Sequence, residues 1–310
     1  MSGAVLVFGA SGFVGRNLVE RLTGDGREVF AVTGSGAPVP GARQTVALAS
    51  VADIGALPGD IVACHVAAYR YDAGRFDLAQ SDILLNNNDL TGRILHFCAE
   101  RKIAELRMAS SVAVYEAGLS VMDDARPIDL NAPPFESEAF YAWSKRYAEI
   151  SAGLYAKRFG VNAVILRLSN PYGPHDSTNP DKAHVAPAFV MKALDANPVF
   201  PIRGDPGVER DFTYVGDVAE VFSRTLAWRG RSETFNVCRG ETSTLTELAE
   251  TVMRVAGVDK PIEAGAPGAF GPAKRISTSE RVRKELGLSF RTLEDGMKPT
   301  IDWYRHAFAR

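Results

Sequence analysis

Apolar positions fall along this chain in two rhythms. Short continuous runs rich in Val, Ile and Leu ("AVLVFG", "EVFAVT", "DIVACHVAA", "LRMASSV", "NAVILRLS") alternate with stretches such as "GRNLVERLTGDG" and "NDLTGRILHFCAERK", where apolar residues recur at helical spacing. A continuous apolar run marks a strand covered on both faces, so the alternation predicts a parallel sheet between two helical layers, a doubly wound α/β fold. Past about residue 170 the rhythm breaks into loops and shorter elements. Residues 1–168 are therefore assigned to the sheet domain, with a later return near 211–238, and 169–310 mainly to a smaller C-terminal lobe over the carboxyl edge of the sheet.

Composition narrows the partners. The chain has 310 residues, enough for a large core with a smaller companion, and its 46% hydrophobic and 23% charged content is that of a globular protein. The net charge of -2 gives no reason to expect nucleic acid or an anionic membrane as partner. "MSGAVLVFGASGFVG" lacks a basic segment ahead of its apolar run, and early glycines interrupt that run. Neither a signal peptide nor a membrane span is expected there, and the expected location is cytoplasmic. Cys64, Cys98 and Cys238 are far apart and lie in apolar surroundings, which predicts buried, reduced thiols with no metal cluster.

The first candidate chemistry is the turn "VFGASGFVG", in which Gly9, Gly12 and Gly15 link a predicted strand to a predicted helix. Glycine is needed where a turn is tight and where backbone must approach a pyrophosphate met by the helix N-terminus, so the setting predicts a dinucleotide site of the Rossmann type. At the end of the second strand, "VFAVTGSG" has Thr33 where an acidic reader of the adenosine ribose would fall. That leaves room for a 2'-phosphate and tilts the expectation to NADP(H) over NAD(H), with Arg43 as a candidate counter-charge beside the plainer role of a solvated loop arginine.

The second is "YAWSK". Four-residue helical spacing puts Lys145 beside Tyr141, and a neighbouring ammonium favours the phenolate, which brings a tyrosine towards service as an acid or base. Upstream, "MASSVAVYE" supplies the hydroxyls of Ser110 and Ser111 at a strand end, where α/β sheets build their sites.

Together these segments resemble the extended short-chain dehydrogenase/reductase superfamily, in particular its nucleotide-sugar epimerases, dehydratases and reductases. "GASGFVG", "HVAA", the Asn88 stretch, "SSVAVY", "YAWSK", "RLSNPYGP" and "RDFTYVGDV" occur in the family's order over nearly the whole chain. The resemblance implies that Tyr141 is the acid/base, that Lys145 tunes it and holds the nicotinamide ribose, and that Ser111 hydrogen-bonds the reacting sugar oxygen. It implies cofactor contacts from Ser11, Phe13, Ala67 and Asn88 beside the three glycines and Thr33, and substrate contacts from Ser110, Asn170, His184 and Arg210. A guanidinium such as Arg210 suits a diphosphate, and equally suits an ion pair with Asp211 or Asp217. The resemblance further implies a homodimer formed by the Tyr-x-x-x-Lys helix and its predecessor, although the apolar stripe of "EISAGLYAKRFG" serves equally to pack on the sheet.

Departures from the family narrow the reaction. Its 4,6-dehydratases carry an Asp-Glu pair after the catalytic hydroxyl, where this chain has Val112 and Ala113. "NPYGPHDSTNPDKAHVAPAFV" is similar to GDP-fucose synthase, in which the histidine matching His184 is an acid, but that enzyme's cysteine is Ala113 here. The expected activity is therefore NAD(P)-dependent hydride transfer at C4 of a nucleotide-diphosphate sugar, as a 4-keto-sugar reductase. A nucleotide-sugar 4-epimerase is the alternative, and a non-catalytic cofactor-sensing regulator a remote one.

Overall fold

The computed structural model describes residues 3–69, 79–265 and 274–309. Along the chain run β1 (Val5–Phe8), α1 (Phe13–Gly24), β2 (Val29–Thr33), β3 (Gln44–Ala47), β4 (Val62–His65), α2 (Gln80–Glu100), β5 (Glu105–Ser111) and β6 (Val121–Met122). Then follow α3 (Ala139–Phe159), β7 (Asn162–Leu168), β8 (Pro171–Tyr172), α4 (Val185–Leu194), β9 (Phe200–Ile202), β10 (Glu209–Arg210), β11 (Thr213–Tyr214) and α5 (Val215–Thr225). The last elements are β12 (Glu233–Val237), β13 (Ser243–Thr244), α6 (Leu245–Ala256), β14 (Ile262–Ala264), β15 (Ile276–Ser277), α7 (Glu280–Leu286) and α8 (Leu293–Phe308).

Seven strands form one sheet in the order β12-β7-β5-β4-β1-β2-β3, with every pairing parallel. The reason lies in the continuous apolar runs, because successive residues face opposite sides of a strand and both sides are covered. In β1, Val5 and Val7 join Leu18 and Leu22 of α1 and Val218 and Phe222 of α5. Leu6 and Phe8 join Ile94 and Leu95 of α2 and Ala148 and Ala152 of α3 on the other face. The doubly wound expectation is met. A third apolar core gathers α4, α6 and α8 around Phe189, Phe200, Leu248 and Met297, apart from the sheet. The three cysteines are buried and free, and burial raises the thiols of Cys64 and Cys98 to about 12 and pushes Cys238 the same way. Among the described residues no helix is long and apolar enough to cross a membrane, and no group of His, Cys, Asp and Glu has the makings of a metal site.

Strand order reverses between β1 and β4, and at such a switch point the carboxyl ends leave a crevice for a ligand. Two close approaches build it. Gly9 has φ +86 and lies against the backbone of Ala67, 2.6 Å from where a Cβ would stand, while a Cβ on Gly15 would stand 2.0 Å from the Gly9 carbonyl oxygen. Gly15→Ala must push α1 away from the turn. A loss of about 1–3 kcal/mol in urea-induced unfolding is expected, in the range of overpacked cores, together with weakened cofactor binding by calorimetry.

Candidate active site

The glycine turn is shaped for a dinucleotide. Gly12 caps α1 without a side-chain hydrogen bond, and the first turn of α1 carries no acidic residue, so its amides are left for an anion. Ser11 is exposed on the turn and Phe13 half-buried at the first helical position. Ala67 closes the opposite side of the crevice against Gly9. Any side chain at Gly9 or Gly15 would collide with the backbone of Ala67 or of Gly9 and so open the turn.

The adenosine end differs in detail from expectation. Thr33 is buried, and its Oγ1 accepts the Gly36 N–H at 2.8 Å, which fixes the turn leaving β2. Arg43 does not serve as a counter-charge for a 2'-phosphate. Its backbone N–H bonds the Val29 carbonyl at the start of β2, its guanidinium pairs with Glu28 and it lies 5.8 Å from the Phe30 ring centroid. These are the amino ends of the strands, whereas the cofactor turn lies at their carboxyl ends.

Tyr141 and Lys145 stand one turn apart on α3, with the Lys145 Nζ 5.8 Å from the Tyr141 ring centroid. Lys145 is only 8% exposed and donates to the Ala109 carbonyl of β5 at 3.4 Å. Burial draws its pKa down to about 8, with Glu149, one further turn along α3, pushing the other way. His65 at the end of β4 is buried, and that burial together with the nearby Lys145 charge holds it neutral, its pKa drawn to about 3.

Ser111 ends β5 half-buried, and its Oγ accepts the Ala113 N–H at 3.1 Å. A hydroxyl that is already accepting keeps its own proton to donate. Ser110 faces elsewhere. It is buried and donates to Glu149 at 2.5 Å, so of the adjacent hydroxyls one is engaged beneath the site and the other left at its edge.

Asn87 and Asn88 differ in their surroundings. Asn87 is the buried one, its Oδ1 accepting the Tyr69 N–H at 2.9 Å and its Nδ2 donating to Ile83, so it ties α2 to the loop after β4. Asn88 is half-buried, with an Oδ1 that lacks a partner. Helical phase carries the distinction, since Ile83, Asn87, Thr91, Ile94, Leu95 and Cys98 share the buried face.

On the substrate side, Asn170 has φ +33, a conformation asparagine tolerates better than most residues, and its Nδ2 donates to the Asp211 carbonyl at 3.0 Å. Asn170 is thereby held against the backbone of Asp211, the residue after Arg210. Asp217 is engaged by Arg291, and the Asp211 carboxylate accepts the Arg239 and Gly240 N–H groups. His184 is exposed at the head of α4, and its side chain makes no cap bond there. It stands as an exposed residue of the smaller lobe.

Residues 5–238 match the model of the NAD dependent epimerase/dehydratase family, which is most of the chain. The chain belongs to that family. Among curated members it is 29% identical over 320 residues to a dTDP-4-dehydro-6-deoxy-D-allose reductase of Streptomyces bikiniensis, with 97% of this chain and 96% of that one aligned. Among solved structures it is similar to MoeE5 in complex with UDP-glucose and NAD, at 26% identity and a TM-score of 0.83 over 99% of this chain and 100% of the other. The fold is also that of a UDP-glucose 4-epimerase from Thermotoga maritima with UDP-glucose, with TM-score 0.84 and 22% identity over 98% and 99% of the two chains. As a member of the NAD dependent epimerase/dehydratase family this protein is an NAD(P)-dependent enzyme.

The cost of holding Lys145 in that crevice can be measured. Its folded pKa of about 8 lies below the 10.5 of a free lysine, so folding loosens the proton. The resulting destabilisation is full below about pH 8 and is lost as pH climbs from there towards 10.5. Lys145→Met is expected to resist urea better than the wild type near neutral pH, with the advantage shrinking in alkali, and to lose roughly a hundredfold in kcat. Urea titrations at two pH values and initial rates check both halves.

Proposed function

We propose that this enzyme reduces the C4 ketone of a sugar carried on a nucleoside diphosphate. The observation that carries the proposal is the buried Lys145, one turn beyond Tyr141 on α3, donating to the Ala109 carbonyl two residues before Ser111 on β5. Tyr141 would give its proton to the ketone oxygen while a bound nicotinamide would supply the hydride, the Lys145 charge would stabilise the phenolate that remains, and the Ser111 hydroxyl would donate to the same oxygen. The two positions after Ser111 are buried Val112 and Ala113, which carry no proton, so loss of water from C5 and C6 has no acid or base there. The near full-length similarity to a protein named as a 4-dehydro-sugar reductase supports the direction of reaction.

A 4-epimerase is the second reading, favoured by the likeness to MoeE5 with its UDP-glucose and NAD. It uses the same Tyr141, Lys145 and Ser111 and requires the keto sugar to turn over before the hydride returns. A cofactor-sensing regulator has no need of that acid/base pair.

NADP(H) remains the preferred cofactor in this proposal, because Thr33, Gly34 and Ser35 put no carboxylate after β2. Without Arg43 as counter-charge the preference is modest, under about tenfold in kcat/KM over NAD(H). Three reduced, buried thiols suit a cytoplasmic setting. The homodimer is supported by a stripe on α3. Phe140, Trp143, Tyr147, Ile150 and Leu154 are 39–59% exposed at helical spacing, beside Leu85 of α2 at 66%, while Ala148 and Ala152 face the sheet. The apolar stripe of this helix thus points outward.

Absorbance at 340 nm is expected to fall when NADPH is mixed with the enzyme and a 4-keto-6-deoxy sugar on a nucleoside diphosphate. Tightly retained NAD with no consumption of added cofactor would instead establish the epimerase. Sedimentation is expected to give a dimer at micromolar concentration and a monomer for Ile150→Glu with Leu154→Glu.

A further inference from the structure

We infer that Arg275 is a second cation for the substrate's diphosphate, set beside Arg210 and held in place by Glu138. The inference rests on the nucleotide-sugar proposal above and concerns a residue that sits 65 positions from Arg210 in sequence.

The two guanidiniums are brought together by backbone. A parallel bridge joins Glu209 to Lys274, and a Lys274–Glu209 ion pair of 2.6 Å reinforces it, so the next residue on each strand is an arginine. The proximity registers electrostatically, since Arg210 has its pKa lowered first by burial and then by the Arg275 charge. Two cations beside one another in a partly dry place require anions.

Among the described residues one carboxylate meets Arg275, and only part of the guanidinium uses it. Nη1 pairs with Glu138, which also acts electrostatically on Arg210, and the guanidinium lies 4.3 Å from the Phe135 ring centroid. Nε and Nη2 are buried with no hydrogen-bond partner among the described residues, although the side chain is only 9% exposed. Those N–H groups lie on adjacent corners of a planar fork, the arrangement that engages two phosphate oxygens at once. An arginine kept only to bridge Glu138 would leave them unmet in a buried position, which folded proteins avoid.

The location suits a substrate group. Glu138 precedes α3 and stands three residues before Tyr141. Arg210 precedes Asp211, whose carbonyl holds Asn170. A diphosphate between Arg210 and Arg275 therefore lies among the residues already assigned to the substrate. Neither a repeat nor a motif marks Arg275 in "GPAKRISTSE", because its partners come from β10 and from the approach to α3.

Calorimetry with UDP, dTDP and GDP and with the three monophosphates, in saturating NADP+, tests the inference. For whichever base the wild type binds, Arg275→Met is expected to weaken the diphosphate about 10- to 100-fold, the loss of a charge-assisted pair, and the monophosphate clearly less. Arg275→Lys, which keeps the charge without the fork, should fall between, and it carries the test if the methionine variant does not fold. An unchanged diphosphate affinity, or equal losses for diphosphate and monophosphate, overturns the inference. A wild type that binds none of the three diphosphates instead overturns the nucleotide-sugar proposal.

Discussion

One carboxylate, Glu149, holds the catalytic helix against the sheet. It accepts the Ser110 hydroxyl of β5 at 2.5 Å and the Nε and Nη2 of Arg167 of β7 at 3.0 and 2.7 Å, and it lies one turn beyond Lys145 on the face that carries Tyr141. Arg167 in turn lies 4.8 Å from the Tyr115 ring centroid, and Tyr115 donates to Asn236 of β12 at 2.9 Å. The network thus runs from the helix across three neighbouring strands. Burying such a pair contributes little net stability, but it fixes register, because a helix displaced by one turn would leave Arg167 and Glu149 uncompensated. It also helps to keep a buried ammonium charged, since an anion close to Lys145 opposes the desolvation that would strip its proton.

The division of labour in the molecule follows from this constraint. Tyr141, Lys145 and Ser111 sit on elements welded to the large sheet, so the geometry of the proposed proton transfer is set by the fold. The residues proposed to meet the rest of the substrate, Asn170, Arg210 and Arg275, come instead from short strands and turns outside that sheet. A change of nucleobase or sugar can be accommodated there without disturbing the acid and base.

Much of this was legible in the sequence, and the reasons are local. Strands buried on both faces announce themselves as continuous apolar runs, and "GASGFVG" and "YAWSK" each pack their chemistry into a few adjacent positions. What escaped depends on direction or on distance. Ser110 and Ser111 are indistinguishable by type and separated only by the strand's alternation. Arg43 looked available until β3 placed it at the amino end of the sheet. Glu149 and Arg275 gained their roles from partners far away in the chain, and no spacing rule reaches across such gaps.

The burial of Cys64, Cys98 and Cys238 has a consequence for how the purified protein behaves. A thiol held well above its usual pKa contributes almost no thiolate at neutral pH, and the thiolate is the form that peroxide and alkylating reagents attack. Each sulfur is shielded as well by the packed sheet or the elements around it. The folded enzyme therefore tolerates air and maleimides alike, and a thiol label becomes a counter of unfolded molecules.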